Sequence, residues 1–333
     1  MSEETSLGPE AWQTDLGRSR VVFGPGSLDR AGELACEAGA SRALLVTDPG
    51  VVAAGHIDRA IAALNRESVR VFVHDAVGEN PTTRHVAHAA DTARQGNVDV
   101  IVGLGGGSAM DCAKGANFLL TNGGRMEDYW GMGKASRPML PSLGIPTTAG
   151  TGSEAQSYAL ISQEEGGTKM ACGDPKALFR AVILDPLLPV TAPRSVTAAS
   201  GIDAVSHAVE SYVSTRSTPI SQLYAREAWR NLEKYLPAVL GEPGDTGAWG
   251  NMLLAAHLAG AAIERSMLGA AHACANPLTA RFSVPHGIAV GLMLPHVIRF
   301  NASHAGTSYE ELSLASNPDG PPALLEDRIT ELR

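Results

Sequence analysis

The chain has 333 residues, of which 44% are hydrophobic and 18% are charged, so it can bury a sizeable core and does not resemble an intrinsically disordered sequence. Its formal net charge is −9 and it has no run of lysine and arginine, which argues against nucleic acid as a partner. The length fits two domains better than one.

Sequence features that bear on the compartment favour the cytoplasm. The first ten residues, MSEETSLGPE, are acidic and polar and therefore unlike a secretory signal. The apolar stretch at residues 252–263 is interrupted by His257 and is too short to cross a bilayer, so no membrane partner is expected. The four cysteines form no CxxC pair, which argues against a disulfide framework and against a cysteine zinc site.

Strand and helix patterns alternate through the first half of the chain. Apolar runs predict strands at 21–23, 43–47, 69–73 and 98–104. The segments between them predict helices at 27–38, 57–66 and 82–95. Repeated strand–helix–strand units of this length form a parallel sheet with helices on both faces. The sequence therefore predicts an N-terminal α/β domain built on a parallel sheet.

The second half of the chain has a different character. No convincing strand follows residue 186, and Ala- and Leu-rich segments predict helices at 195–213, 218–240 and 247–265. Prolines near residue 190 indicate a rigid connection, so we expect an α/β domain of residues 1–190 and an all-helical domain of residues 191–333. The chain ends inside a helical pattern without a C-cap signal, which predicts a fragment or an early end of the helical domain.

A glycine-rich turn follows the predicted strand at 98–104. It reads GGGS at 105–108 and leads into a helix start, AMDCAK, at 109–114. Glycines allow a phosphate to approach the backbone closely, and the free N–H groups at a helix N-terminus favour an anion. The turn is neither a GxGxxG fingerprint nor a Walker sequence, so a purely structural strand-to-helix turn remains an alternative.

Two further features are consistent with a nucleotide site. Asp48 follows the predicted strand at 43–47, where a carboxylate could accept a hydrogen bond from a ribose 2′-hydroxyl and would repel a 2′-phosphate. It could equally be the N-cap of a turn before Pro49. The segment PTTAGTGSE at 146–154 combines hydroxyls and glycines after an apolar run, which suits an anion or ribose cradle or, alternatively, a local turn with a helix cap.

One carboxylate and three histidines form a candidate metal site. Asp203 and His207 are four residues apart in a predicted helix, so both project from one face. His272 and His286 follow, 14 residues apart. Imidazole and carboxylate ligands suit a divalent metal, and an open coordination position could hold a substrate oxygen. Spacing alone leaves a structural role open, because such pairs are common on helices.

These motifs together resemble the iron-containing (group III) alcohol dehydrogenases from about residue 21 to residue 301. The resemblance rests on GGGSAMDCAK (105–114), PTTAGTGSE (146–154), GIDAVSHAVESY (201–212) and HACANPLTARFSVPHG (272–287), which occur in the family's order and spacing. It implies an N-terminal dinucleotide-binding α/β domain, a C-terminal all-helical metal-binding domain and a cleft between them. It also implies a homodimer or larger assembly.

The resemblance also assigns residues and chemistry. The metal ligands, which would be catalytic through an Fe²⁺ or Zn²⁺ ion, match Asp203, His207, His272 and His286. The NAD(H) contacts match Asp48, Asn80, Gly106, Gly107, Ser108, Asp111, Thr147, Thr148, Thr151 and Lys169. The implied reaction is hydride transfer between NAD(H) and a small primary alcohol or aldehyde, and the aspartate at position 48 favours NAD over NADP.

One departure from the family pattern lies in the expected substrate pocket. Many members have a histidine four residues after the third metal ligand, and this chain has Asn276 there, which cannot relay a proton. The alternatives are an NAD enzyme of another subfamily, similar to glycerol dehydrogenase or to the metal-free maleylacetate reductases, or a catalytically impaired protein that only binds nucleotide or metal. The complete set of four metal ligands disfavours the metal-free alternative.

Overall fold

A computed structural model of the protein describes residues 12–16, 19–316 and 324–332. The acidic first ten residues and the last residue, Arg333, lie outside the described residues. None of the helices in the described ranges combines the length and the apolar character that a membrane crossing requires.

The N-terminal half is built on a seven-stranded sheet. Its strands are β1 (Trp12–Leu16), β2 (Ser19–Phe23), β3 (Arg42–Val46), β4 (Arg70–His74), β5 (Val100–Gly105), β7 (Ser142–Pro146) and β10 (Ala181–Leu184), in the spatial order β1-β2-β10-β7-β5-β3-β4. β1 and β2 are antiparallel, and the other neighbours pair in parallel. A smaller sheet consists of β6 (Gly131–Met132), β8 (Tyr158–Ser162) and β9 (Lys169–Gly173).

Helices cover both faces of the larger sheet. They are α1 (Ala31–Glu37), α2 (Pro49–Ala53), α3 (His56–Arg66), α4 (Thr83–Gly96) and α5 (Gly107–Asn122). In β3, Leu45 packs in a cluster with residues of α1 and α3, whereas Leu44 packs with residues of α4 and α5. A strand that is buried on both faces needs a continuous apolar run, which explains why the sequence predicted it so clearly.

The C-terminal half is helical throughout its described residues. It contains α6 (Arg194–Val213), α7 (Pro219–Gly241), α8 (Thr246–Ser266), α9 (Ala270–Phe282), α10 (His286–Ser316) and α11 (Leu325–Leu332). Trp229 of α7 is fully buried in their common core, where residues of α6, α8 and α10 also pack. The predicted fold class, an α/β half followed by an all-helical half, is confirmed.

Three details of the sequence-based prediction are wrong or incomplete. The single helix expected at 27–38 is a 3-10 helix (Ser27–Arg30) followed by α1, and Gly26, not Ser27, occupies the N-cap. The strands β1, β7 and β10 of the larger sheet and the whole smaller sheet were not predicted. β6 has only two residues and β1 has no continuous apolar run, whereas the apolar run at 158–161 in β8 was passed over.

The carboxyl ends of three adjacent strands bring distant segments to one edge of the larger sheet. β5 lies between β3 and β7, and the register pairs Gly103 with both Val46 and Gly144. Asp48, the glycine turn and the threonine-rich segment 146–154 each follow one of these strands. The carboxyl edge of a parallel sheet is where α/β proteins bind ligands. The fold therefore assembles the candidate nucleotide residues without further rearrangement.

The two halves are joined by close backbone contact beside this edge. A Cβ placed on Gly152 would lie 2.6 Å from the Cα of Gly260 in α8, and one on Gly260 would lie 2.4 Å from the carbonyl oxygen of Gly152. The Ser157 N–H also donates to Glu264 of α8 at 2.9 Å. Glycine at both positions therefore lets the loop after β7 lie directly on the helical half.

Candidate metal and cofactor site

The glycine turn forms a tight junction between β5 and α5. Gly105 has a φ of +152°, and a Cβ there would lie 2.7 Å from the Cβ of Ala109. Gly106 is the N-cap of α5, and no side chain caps this end of the helix. A Cβ on Gly107 would lie 2.8 Å from Oγ1 of Thr151. The turn thus leaves a helix N-terminus available to an anion and packs directly on the threonine-rich loop.

Asp48 combines the two roles that the sequence left open. Its Oδ1 accepts hydrogen bonds from Gly50 N–H at 2.9 Å and Val51 N–H at 3.1 Å, so it is the N-cap of α2. Its Oδ2 points toward the glycine turn, where it would lie 3.0 Å from a Cβ on Gly105. The N-cap role is therefore real, and it leaves the second carboxylate oxygen beside the glycine turn.

The threonine-rich loop and α5 are tied together by a buried network. Ser153 donates from Oγ to Asp111 Oδ1 at 2.5 Å, and the buried ammonium of Lys114 donates to the carbonyl oxygen of Ser153 at 2.6 Å. Burial raises the pKa of Asp111, against the opposing effects of Lys114 and Ser153. Within the loop, Ser153 N–H donates to Thr151 Oγ1 at 3.3 Å. The local turn that the sequence left open as an alternative role for this segment is therefore present as well.

The remaining predicted cofactor residues lie around these elements. Thr147 N–H donates to the carbonyl oxygen of Gly105 at 3.0 Å, and Thr148 Oγ1 would lie 3.4 Å from a Cβ on Gly106. Asn80 has a left-handed φ of +55° before α4, and its Oδ1 lies 3.5 Å from Nζ of Lys169 at the start of β9. Ser108 is in the first turn of α5.

The four predicted metal ligands come from three helices. Asp203 and His207 lie on one face of α6, His272 is in the first turn of α9, and His286 is the first residue of α10. Nε2 atoms of three histidines surround one oxygen, Oδ1 of Asp203, at 3.4 Å (His272), 3.5 Å (His207) and 3.9 Å (His286). The His207 and His272 rings are stacked, with centroids 4.8 Å apart.

These distances match what a shared ion requires. Ligand atoms about 2.1 Å from an ion at the corners of a tetrahedron lie about 3.4 Å from one another. The ligand atoms of Asp203, His207 and His272 all lie within 4.8 Å of one another. His286 is at the edge of this group, with 24% of its side chain exposed against 4–6% for the other three. The accessible side of the cluster is therefore the side of His286.

Unpartnered polar atoms provide an independent test of whether an ion fits. Asp203 Oδ1 and His272 Nε2 are buried and have no hydrogen-bond partner. Nearly all buried polar atoms in proteins are hydrogen-bonded, so an unpartnered pair that faces one point needs an explanation. A divalent cation would satisfy both atoms at once, and one carboxylate with three imidazoles is a donor set suited to Zn²⁺ or Fe²⁺.

Burial and charge act against each other within the cluster. Burial lowers the pKa of His207 to about 4, despite the attraction of Asp203. Burial also opposes the charged form of His272, but Asp203 and Glu210 outweigh it and raise the pKa of His272 to about 9. For Asp203, burial is outweighed by the neighbouring histidines, which hold its pKa well below its usual range. The cluster thus keeps an ionised carboxylate next to imidazoles of very different basicity.

One residue of this site was missed by sequence reasoning. Glu210 of α6 is buried and accepts a hydrogen bond from Nδ1 of His272 at 2.5 Å. It follows Asp203 by seven residues and His207 by three, a spacing that places all three on one face of the helix. That spacing was the available signal, but it does not indicate which later histidine the carboxylate meets.

Asn276 lies one turn after His272 on α9, and its side chain is exposed. Residues four apart share one side of a helix, so the amide is on the side of the metal ligand. Its assignment to the substrate pocket remains a prediction.

Comparison with known proteins identifies the family. Residues 18–186 match the family model described as iron-containing alcohol dehydrogenase, and residues 197–320 match the model for the C-terminal part of that family. The chain belongs to the iron-containing alcohol dehydrogenase family. It is therefore an oxidoreductase that acts on alcohols, and the cofactors predicted from the sequence, NAD(H) and a divalent metal ion, are those of this family.

Individual relatives agree with this assignment. Alcohol dehydrogenase 4 of Schizosaccharomyces pombe is 40% identical over 281 residues, which are 84% of this chain and 67% of that protein. The NAD-dependent methanol dehydrogenase of Bacillus methanolicus is 34% identical over 280 residues, or 84% of this chain and 74% of that protein.

Solved structures of similar proteins share the fold over nearly the whole chain. A 1,3-propanediol oxidoreductase superposes with a TM-score of 0.91 at 30% identity, covering 97% of this chain and 85% of that one. The sulfoacetaldehyde reductase of Bifidobacterium kashiwanohense, solved in complex with NAD⁺, gives a TM-score of 0.86 at 29% identity and covers 96% of this chain and 85% of that one. The two-part architecture described above is thus that of family members.

Proposed function

We propose that this enzyme transfers hydride between NAD(H) and a small primary alcohol or its aldehyde, beside an ion held by Asp203, His207, His272 and His286. The observation that carries the proposal is the convergence of three imidazole Nε2 atoms on one carboxylate oxygen at 3.4–3.9 Å. Relatives named for methanol and for 1,3-propanediol support a small substrate, although another is named for long-chain alcohols.

The chain's own residues divide the work between binding and orientation. When bound, a divalent ion acts as a Lewis acid toward an alcohol or carbonyl oxygen, and NAD(H) accepts or supplies the hydride. Asp203 and the three histidines hold the ion and leave its accessible side next to His286. The glycine turn and the threonine-rich loop orient the dinucleotide, so the reacting groups are held close together.

The cofactor residues fit a dinucleotide by their local structure. We assign the pyrophosphate to the N-terminus of α5, at Gly106, Gly107 and Ser108, where backbone N–H groups favour an anion. We assign Thr147, Thr148, Thr151 and Asp111 to the same edge, Asn80 to a further cofactor contact and Lys169 to the vicinity of the nicotinamide ribose. Asp48 keeps one oxygen free of α2, and a carboxylate in that position favours NAD because it repels the 2′-phosphate of NADP.

Proton transfer in this enzyme does not use a histidine at position 276. The amide of Asn276 can donate or accept a hydrogen bond to the substrate, but it does not titrate. We infer that the proton leaves through water or a ribose hydroxyl.

The test is NADH oxidation with a panel of aldehydes, from formaldehyde to long-chain aldehydes, before and after treatment with a chelator. We expect chelation to abolish turnover, Zn²⁺ or Fe²⁺ to restore it, and NADH binding to persist throughout. Activity that survives complete metal removal would indicate metal-free chemistry similar to that of the maleylacetate reductases. Saturable NADH binding without turnover of any aldehyde, with metal present, would indicate a protein that only binds its ligands.

The domain limits, assembly and compartment expected from the sequence belong to the same proposal. Largely separate apolar cores in the two halves support an α/β domain of residues 1–190 and a helical domain of residues 191–333. We expect a homodimer or larger assembly, which light scattering after size-exclusion chromatography would reveal, and cytoplasmic localisation in cell fractions.

A further inference from the structure

We infer that Glu210 is a positioning residue that sets the orientation and tautomer of the metal ligand His272. The inference rests on the proposed metal site, and it concerns a residue that binds neither substrate nor ion itself. Three observations carry it: the contacts of the carboxylate, the place of Glu210 on its helix, and the backbone around the start of α9.

Both oxygens of the Glu210 carboxylate bind the same short segment. Oε2 accepts from His272 Nδ1 at 2.5 Å, and Oε1 accepts from the N–H of Ala271 at 2.6 Å. One side chain therefore fixes an imidazole ring and the backbone that carries it. A proton on Nδ1 leaves Nε2 with a free lone pair, and Nε2 is the atom that faces Asp203 at 3.4 Å.

Glu210 also connects the two helices that carry the most buried ligands. Asp203, His207 and Glu210 lie on one face of α6, whereas His272 is on α9. The N-cap residue of α9, Gly269, has no side chain that could cap the helix, so the Glu210 carboxylate from α6 caps it instead. The N-terminus of a helix also favours a negative charge. Glu210 thus fixes the position of α9 relative to α6 at Ala271, the residue next to the metal ligand His272.

The backbone leaves little freedom for this contact to change. A Cβ on Gly269 would lie 2.8 Å from Oε1 of Glu210, so glycine is needed for the carboxylate to approach. Met267, at the end of α8, has φ 61° and ψ −177°, a conformation that is rare outside glycine. A strained residue two positions before Gly269 indicates that the loop is held in one geometry by its surroundings.

The other two histidines lack an equivalent partner. His286 Nδ1 lies 3.5 Å from Thr279 Oγ1, which is a long contact, and His207 Nδ1 is buried without a partner. Carboxylate–imidazole–metal arrangements hold a ligand ring in place, and removal of the carboxylate typically weakens metal affinity. Of the three imidazoles, His272 is therefore the one whose geometry is fixed before an ion binds.

The test compares Glu210→Gln with Glu264→Gln in the 333-residue chain. Glu264 accepts a backbone N–H from Ser157 at 2.9 Å and has no contact with the ligands, so it controls for the loss of a carboxylate–backbone hydrogen bond. We expect Glu210→Gln to weaken Zn²⁺ affinity about 10- to 100-fold, measured by competition with a chromophoric chelator, and Glu264→Gln to leave it unchanged. The visible absorption spectrum of the Co²⁺-loaded protein should change in Glu210→Gln only.

A purely structural role for Glu210 would give a different pattern. The unfolding temperature of the metal-free variant would fall while Zn²⁺ affinity and the Co²⁺ spectrum stayed as in the parent, and this result would overturn the inference. His272→Ala serves as the reference for the site itself. If His272→Ala retained full Zn²⁺ affinity, the proposed metal site would be wrong, whereas loss in His272→Ala with no change in Glu210→Gln would refute only the role of Glu210.

Gly269→Ala provides a second variant in case Glu210→Gln does not fold. Its backbone angles are accessible to alanine, and its Cβ would displace the carboxylate without removing the charge. We expect a smaller loss of Zn²⁺ affinity, and unchanged affinity would contradict the inference. In the parent protein labelled with ¹⁵N-histidine and loaded with Zn²⁺, His272 should carry an exchange-protected proton on Nδ1, and its absence would also contradict it.

Discussion

The α/β half and the helical half contribute to the site by different means. In the α/β half the site is made of backbone at the ends of β3, β5 and β7, with glycines at the places where a Cβ would collide. In the helical half it is made of four side chains from three helices, with buried polar atoms that no protein group satisfies. The backbone cradle presents the uncapped N-terminus of α5, whereas the side-chain cluster has buried polar atoms that an ion would satisfy.

This difference has an energetic consequence. A glycine turn costs conformational entropy on folding, and its N–H groups lie at a partly exposed helix end where water can bind them. Buried, unpartnered carboxylate and imidazole atoms cost stability in the protein alone, and an ion that binds only the folded state offsets this cost. We therefore expect the two halves to respond separately when one ligand or the other is removed.

A pair of substitutions should separate the two halves most strongly. Gly107→Ala places a Cβ 2.8 Å from Thr151 Oγ1, and overpacking of about 1–3 kcal/mol should weaken NADH binding roughly 10- to 100-fold while Zn²⁺ affinity is kept. His272→Ala should abolish Zn²⁺ binding and turnover while NADH affinity, measured by fluorescence, stays near that of the parent.

Matched controls exist for both substitutions. Gly241→Ala adds a Cβ with no neighbour within 4 Å, and His304→Ala removes an exposed imidazole from α10. Both controls should keep NADH and Zn²⁺ affinity. If Gly107→Ala lost affinity for Zn²⁺ as well as for NADH, the two halves would be coupled. The expectation that they respond separately to the loss of one ligand would then be incorrect.

Asp48 allows a sharper test within the α/β half, because it is both a helix cap and a candidate cofactor ligand. Asparagine caps a helix about as well as aspartate but carries no charge. Asp48→Asn should therefore keep the unfolding temperature and raise the ratio of NADP to NAD turnover by about tenfold or more. Asp48→Gly should raise the same ratio. An unchanged ratio in Asp48→Asn would reduce Asp48 to its role as the N-cap of α2.

Much of the α/β half could be predicted because its signals are local. Residues 43–46 are all apolar because β3 is buried on both faces, and GGGS follows the buried run of β5 directly. The smaller sheet gave weaker signals: β6 has two residues, and β8 and β9 are half-buried strands joined across Gly166 and Gly167. That glycine pair was a hairpin signal that sequence reasoning passed over.

The helical half was predictable as helices but only partly as a site. The spacing of Asp203 and His207 places them on one face of α6. Their meeting with His272 depends on how three helices pack, and no local pattern specifies that packing. Glu210 shows the limit clearly, because its partner lies 62 residues further along the chain. The resemblance to the family supplied the ligand set, and the structure supplied the contacts of each ligand.

The smallest expected effect lies in the helical half, at Asn276 of α9. A histidine there would titrate near pH 6.5. In Asn276→His, aldehyde reduction should fall as the pH rises above that pKa, because the imidazolium that donates the proton is lost, and alcohol oxidation should fall below it. We expect a change of about two- to tenfold in kcat/KM across this range, less than an ideally placed acid–base group provides. Asn276→Gln, which cannot titrate, should alter KM without adding this inflection. Identical pH–rate profiles in the parent and both variants would place position 276 off the proton path and leave water as the route by which the proton moves.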